Sequence, residues 1–217
     1  MSIKATLAKA VLIASILAGV SYVAAWNLGL PQAADLTWKG LGVGLLALYA
    51  ALNARSLDGW LLVGVMAFGA LGDVLLETSG MAIGGAAFLV GHFLAIALYL
   101  ANRRGSTGVA LASAVAGACL VAGVAFSLTH DHGVALYALG LGGMAGSAVG
   151  SRFPIAALGA VSFAFSDLMI FAALGPLAGS TLPGLVIWPT YFAGQALVAI
   201  GVVRGLQRRR GGTISLA

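Results

Sequence analysis

Four polar residues interrupt apolar sequence that otherwise carries no acidic residue or histidine at depth. Asp73 closes Phe68-Gly69-Ala70-Leu71-Gly72-Asp73, and His92 closes Phe88-Leu89-Val90-Gly91-His92. Asp167 closes Phe163-Ala164-Phe165-Ser166-Asp167, and Gln195 follows Tyr191 by four residues. An aspartate at the centre of a membrane helix costs about 2.5–3.5 kcal/mol on insertion scales, so each such group needs a partner or a task. Two carboxyl groups and an imidazole are a set that gives and takes protons, in acid–base catalysis or in a proton relay. Their neighbours fall at helical spacing. Phe88, His92 and Tyr99 sit at offsets 0, 4 and 11; Asp73 and Glu77 are four apart; Phe163, Ser166, Asp167 and Ile170 share a stripe. Groups at these spacings point the same way, and a polar stripe on an apolar helix faces the bundle interior. There is no GxSxG elbow, HExxH pair or P-loop. A zinc site of Asp73, His92 and Asp167 is conceivable but poor in histidine; the reading adopted takes no metal and no cofactor.

The elements that hold these residues follow from composition. Of 217 residues, 61% are hydrophobic and 8% charged, with mean hydropathy +1.06. Soluble domains carry about 25% charged residues, so this chain cannot cover a water-facing surface. That excludes a soluble enzyme, a disordered regulator and a secreted disulfide scaffold. Long continuous apolar runs also exclude an alternating outer-membrane barrel. The single Cys119 forms no internal disulfide and reads as a small buried residue. At about 20 residues per span, the length holds eight helices: 5–26, 37–53, 59–77, 82–101, 108–128, 133–150, 154–174 and 186–203. The stretch from Gly175 to Gly184, with Pro176 and Pro183, reads as a loop. The expected fold is all-α: one polytopic membrane domain over 1–217, eight transmembrane helices in one bundle, and a basic tail over 204–217.

Charge orients it. The N-terminus, the even-numbered connections and the C-terminus hold Lys4, Lys9, Arg55, Arg103, Arg104, Arg152, Arg204, Arg208, Arg209 and Arg210, leaving only Lys39 on the other side. By the positive-inside rule both termini are cytoplasmic, in a multi-pass protein of a bacterial inner or plasma membrane. Lys4 and Lys9, an apolar stretch and Val23-Ala24-Ala25 also resemble a secretion signal, but the run from Ala10 to Trp26 is long for one, and the first helix is read as retained. Arg208-Arg209-Arg210 reads as an anchor at an anionic leaflet. The net charge of +5 therefore needs no nucleic acid. Glu77 reads as marking the outer interface, and His130-Asp131-His132 as a solvated outer loop. Gly142, Gly146 and Gly150, and likewise Gly40 and Gly44, are four apart and read as packing seams, with dimerisation as the lesser alternative. The oligomeric state is not legible.

Depth brings the polar groups together. At 1.5 Å per residue, Asp73 lies about 21 Å and Asp167 about 20 Å from the cytoplasmic end, and His92 about 15 Å from the outer surface. Gln195 lies near the same depth. They converge if spans three, four, seven and eight are neighbours. A weak echo supports a four-plus-four duplication: Gly72-Asp73 then Phe88/His92, and Ser166-Asp167 then Tyr191/Gln195.

In this order and spacing, Gly72-Asp73, Phe88…Gly91-His92, Ser166-Asp167 and Tyr191…Gln195 resemble the lysoplasmalogenase, or YhhN-like, family of eight-helix membrane proteins. The resemblance covers nearly the whole chain. It implies hydrolysis of the vinyl ether bond of a lysoplasmalogen, a lysophospholipid drawn from the bilayer, to a fatty aldehyde and a glycerophospho-alcohol. Such hydrolysis protonates the outer alkenyl carbon and adds water to the resulting oxocarbenium ion. Glycosidases use an acid and a carboxylate around a related cation. Asp73 and Asp167 are the candidate pair, with His92 orienting or activating water. Tyr191, Gln195, Ser166, Phe88 and Phe163 are candidate substrate contacts. Two other classes fit the same residues: a proton-coupled small-molecule or lipid transporter, and a non-catalytic lipid-binding scaffold.

Overall fold

The structure is a computed structural model that describes residues 3–214, with side chains to 209. Within it the chain forms eight helices: α1 (Ile3–Ala25), α2 (Gln32–Asn53), α3 (Leu57–Ser79), α4 (Met81–Ala101), α5 (Thr107–Thr129), α6 (His132–Val149), α7 (Pro154–Leu174) and α8 (Leu182–Ile214). Local chemistry sets their starts. Ser56, Ser106 and Asp131 cap α3, α5 and α6 by accepting bonds from backbone N–H groups one turn in. Pro154 opens α7, where its missing N–H is no loss. All but α2 are long and apolar enough to cross a membrane. The polar start of α2 is partnered: Tyr22 donates to Asp35 at 3.0 Å and Lys39 meets Glu77 at 2.8 Å.

Successive helices pack as hairpins, α1 on α2, α3 on α4, α5 on α6 and α7 on α8, and α8 returns to touch α1, α2 and α3. The sequence expectation that the fourth and seventh spans adjoin needs correction. The α4 and α7 backbones do not pack directly; α6 contacts both, and long aromatic side chains cross the gap. The glycine-rich sequence of α6 also lets it pack closely on α5. A Cβ on Gly142 would overlap the Gly117 carbonyl, and one on Gly146 the Ser113 carbonyl. Gly159 of α7 and Gly194 of α8 form a second seam, where a Cβ on Gly159 would lie 2.5 Å from the Gly194 oxygen. Gly40 and Gly44 do not behave this way. A Cβ at Gly40 would find only Val74, at 3.9 Å, and one at Gly44 would find nothing within 4 Å. Both line an open groove between α2 and α3, so spacing alone misassigns them as a seam.

The first helix is tied into the bundle: Ser15 donates to the Gly42 carbonyl at 2.6 Å, and Trp188 Nε1 to the Gly19 carbonyl at 2.8 Å. At one end of the bundle the connections after α4 and α6 bond to each other, Arg104 N to Gly150 O at 3.0 Å and Arg152 N to Asn102 O at 2.9 Å. Gln207 of α8 reaches Asn53 there, and Arg209 donates to Asn102 Oδ1 at 2.9 Å. Arg209 thus turns onto the protein; the side chain of Arg210 lies outside the described residues. Three boundaries differ from expectation by more than two residues: α2 starts at Gln32 rather than 37, and both ends of α8 lie further out. Helix α8 begins at Leu182, because Pro183 in a first turn costs no hydrogen bond, and it continues beyond 203 through Ile214. Residues 215–217 of the expected tail lie outside the described residues. Cys119 is exposed, because α5 is an outer helix packed mainly on α6 and α7.

Candidate active site

Each carboxyl group is held by a tyrosine from another helix. Asp73, in the fifth turn of α3, accepts from Tyr191 Oη of α8 at 2.8 Å. Gln195, one turn further along α8, donates from Nε2 to the same Tyr191 oxygen at 3.3 Å. Close approach of α3 and α8 here depends on Gly69, whose absent Cβ would sit 2.8 Å from Gln195 Nε2. Asp167 of α7 accepts at Oδ2 from Tyr137 Oη of α6, at 2.7 Å, and Ser166 Oγ lies 3.4 Å from Oδ1. The Ser166 hydroxyl also donates to the Phe163 carbonyl at 2.7 Å. His92 Nε2 lies 3.1 Å from the oxygen of Tyr137. The bonding order sets the tautomer. With Tyr137 donating to Asp167, its oxygen accepts from His92, so Nε2 carries a proton and Nδ1 is the acceptor.

Aromatic rings join the two halves. Phe163 touches His92, with centroids 5.3 Å apart, and Tyr191, at 5.1 Å. Phe88 packs edge-on against both Phe163 and Tyr191. It fits because Gly72 has no Cβ; one built there would lie 2.6 Å from the Phe88 ring. Asp73 is 3% exposed, Asp167 6% and His92 2%, so none points into acyl tails. Beside the rings lies a cavity of ≈ 10 Å³ lined by Phe88, His92, Phe163, Gln195, Tyr99 and Met144 among others, with neither Asp73 nor Asp167 in its lining.

The structure therefore brings Asp73, His92, Asp167, Ser166, Tyr191, Gln195, Phe88 and Phe163 into one interior cluster. Glu77 stands apart, on the Lys39 ion pair, and Asp131 serves as the α6 cap. Sequence reasoning missed Tyr137. A tyrosine less than two turns into a helix reads as an interfacial residue. The available signal was that it interrupts an α6 otherwise built of glycine, alanine and other small or apolar residues after His132.

An all-α bundle with seven membrane-length apolar helices and a buried acid–tyrosine–histidine cluster defines an integral multi-pass membrane protein. A profile of the YhhN family matches residues 34–202, and the chain belongs to that family. That match takes in α3 to α7 whole and every cluster residue. No curated protein and no solved structure matches the chain.

Proposed function

We propose that this protein hydrolyses the vinyl ether bond of lysoplasmalogens, in a plasma membrane with both termini cytoplasmic. The observation that supports the reading is a pair of buried aspartates, each bonded to a tyrosine, with the two tyrosines linked through the rings of Phe163 and His92. Tyr191 occupies Oδ2 of Asp73 and leaves Oδ1 to carry a proton. Asp73 delivers that proton to the outer alkenyl carbon of R–CH=CH–O–R′, giving R–CH2–CH=O⁺–R′. The carboxylate of Asp167 opposes the cation. Water adds to the oxocarbenium carbon and loses a proton to His92 Nδ1. As His92 takes that proton, Nε2 can pass its own to Tyr137, and Tyr137 its own to Asp167. In the collapse the hemiacetal hydroxyl gives its proton to the Asp73 carboxylate, while the relay runs backwards from Asp167 through Tyr137 to His92 Nε2 and Nδ1–H protonates the departing oxygen; R–CH2–CHO and R′–OH leave and each group regains its starting state. Phe88, Phe163 and Tyr191 bound the alkenyl group, and Gln195 and Ser166 hold the tyrosine and carboxyl partners in place. A cavity of ≈ 10 Å³ is far smaller than a lysolipid, so the aromatic side chains must part for substrate to bind.

The rival reading is a proton-coupled transporter, which the same buried acids and histidine would serve. Purified protein in detergent, where no gradient exists, distinguishes them. An enzyme releases fatty aldehyde from alkenyl-glycerophosphoethanolamine or its choline counterpart there. A transporter is silent in detergent and active only in sealed vesicles, and a binding scaffold takes up lysolipid without product.

A further inference from the structure

Tyr99 stands outside the reaction just described, two turns beyond His92 on the same face of α4. Its side chain is 0% exposed. Among the described residues, its hydroxyl is the single buried side-chain polar atom without a hydrogen-bond partner. An orphaned hydroxyl in an apolar interior is costly, and such groups in native proteins are met by an ordered water or a ligand. Tyr99 lines the ≈ 10 Å³ cavity together with His92 and Gln195. Seven residues place the two α4 side chains about 10 Å apart along the axis. Both side chains lean toward the N-terminus of α4, and the longer Tyr99 ring spans part of the distance to His92. The space needed for one water is about 10–15 Å³, and a stable internal water needs two to four polar partners. The cavity lies at the lower edge of that size, and three polar side chains, Tyr99, His92 and Gln195, are in its lining. Its remaining lining, including Ala95, Met144 and Val198, is apolar, which leaves only one place for a polar guest.

We infer that this cavity is a binding site for one internal water, held by the Tyr99 hydroxyl with His92 and Gln195, and that this water is the one consumed in hydrolysis. The second half rests on the proposed vinyl ether hydrolysis; the first does not. The water oxygen bonds to the oxocarbenium carbon, its proton passes to His92 Nδ1, and no other co-reactant is needed. Tyr99 acts here as a positioning residue, through the water.

Radiolytic hydroxyl-radical footprinting of the full chain in detergent tests the site, because ordered internal waters label adjacent side chains that bulk solvent cannot reach. Tyr99 and Met144 should be oxidised at least fivefold faster than Phe153, which is 1% exposed and off the cavity. Tyr99→Phe should remove most Met144 labelling and lower kcat at least tenfold, with KM within twofold and no loss of thermal stability. Tyr99 and Met144 as protected as Phe153 would overturn the water site. Labelling as expected, with full kcat in Tyr99→Phe, would overturn the water's part in hydrolysis. If the wild-type protein released no aldehyde at all, the proposed function and the consumed-water assignment would fall, while the labelling of Tyr99 would still decide the site.

Discussion

Tyr137→Phe isolates the link between His92 and Asp167. The phenyl ring fills the same space against Phe171, whose ring centroid lies 6.1 Å away, so packing is preserved. Only a hydroxyl is lost, and with it bonds of 2.7 Å to Asp167 and 3.1 Å to His92. A hydrogen bond to a charged group contributes about 1.5–3 kcal/mol. At 1.36 kcal/mol per factor of ten, losing one in the transition state slows the reaction about 10- to 150-fold. General base catalysis is itself worth about 10²–10⁴-fold, so interrupting the relay places the expected fall in kcat near 10²-fold. Steady-state aldehyde release from lysoplasmalogen in detergent, coupled to an aldehyde-reducing enzyme, reads this directly. Thermal unfolding in the same detergent should fall by several degrees but stay cooperative, since Asp167 Oδ2 and His92 Nε2 lose a partner while the ring packing is kept. A variant within twofold of wild-type kcat would show that Tyr137 merely packs, and the relay would have to be abandoned.

Two other consequences concern the glycines. Gly142→Leu should destabilise strongly, because its side chain must displace the Gly117 backbone; overpacking typically costs about 1–3 kcal/mol and more where backbone must move. Gly44→Leu, at the same four-residue spacing but over open space, should leave the unfolding midpoint within a degree or two. Equal loss at both positions would contradict the assignment of one seam and one groove. Gly72→Ala places a methyl group 2.6 Å from the Phe88 ring and should lower kcat/KM at least tenfold by tilting that ring into the chamber. Phe88→Leu in the same background should restore part of the loss; no restoration would mean that the two residues do not act together.

Much of the site was legible because water and hydrocarbon treat charge so differently. An ionisable group deep in an apolar run stands out whatever its neighbours, which is why Asp73, His92 and Asp167 could be found without a structure. Tyrosine carries no such penalty, since it snorkels and serves at interfaces as readily as in cores. Tyr137 was therefore invisible until α6 was seen to lie against both α4 and α7. Helix adjacency was the other hidden quantity. Periodicity tells which residues share a face but not which helix that face meets, so the insertion of α6 beside α4 and α7 had no sequence signal. The glycine pairs make the same point. Gly142/Gly146 and Gly40/Gly44 have one spacing and opposite surroundings, because a seam needs a partner backbone and not only small residues. Element ends followed simpler rules, with Ser56, Ser106, Asp131 and Pro154 all marking starts, whereas Pro183 was read as loop although a first helical turn accepts it.

The most direct measurement is aldehyde release by Asp73→Asn and Asp167→Asn, each purified in detergent beside the wild-type protein and checked for an intact thermal transition. Asparagine keeps the size of the side chain and an acceptor for Tyr191 or Tyr137 while removing the titratable oxygen. Acid–base chemistry by this pair predicts at least a 10³-fold loss of turnover in each variant, with lysolipid binding retained. Turnover near the wild-type rate in either one would contradict it.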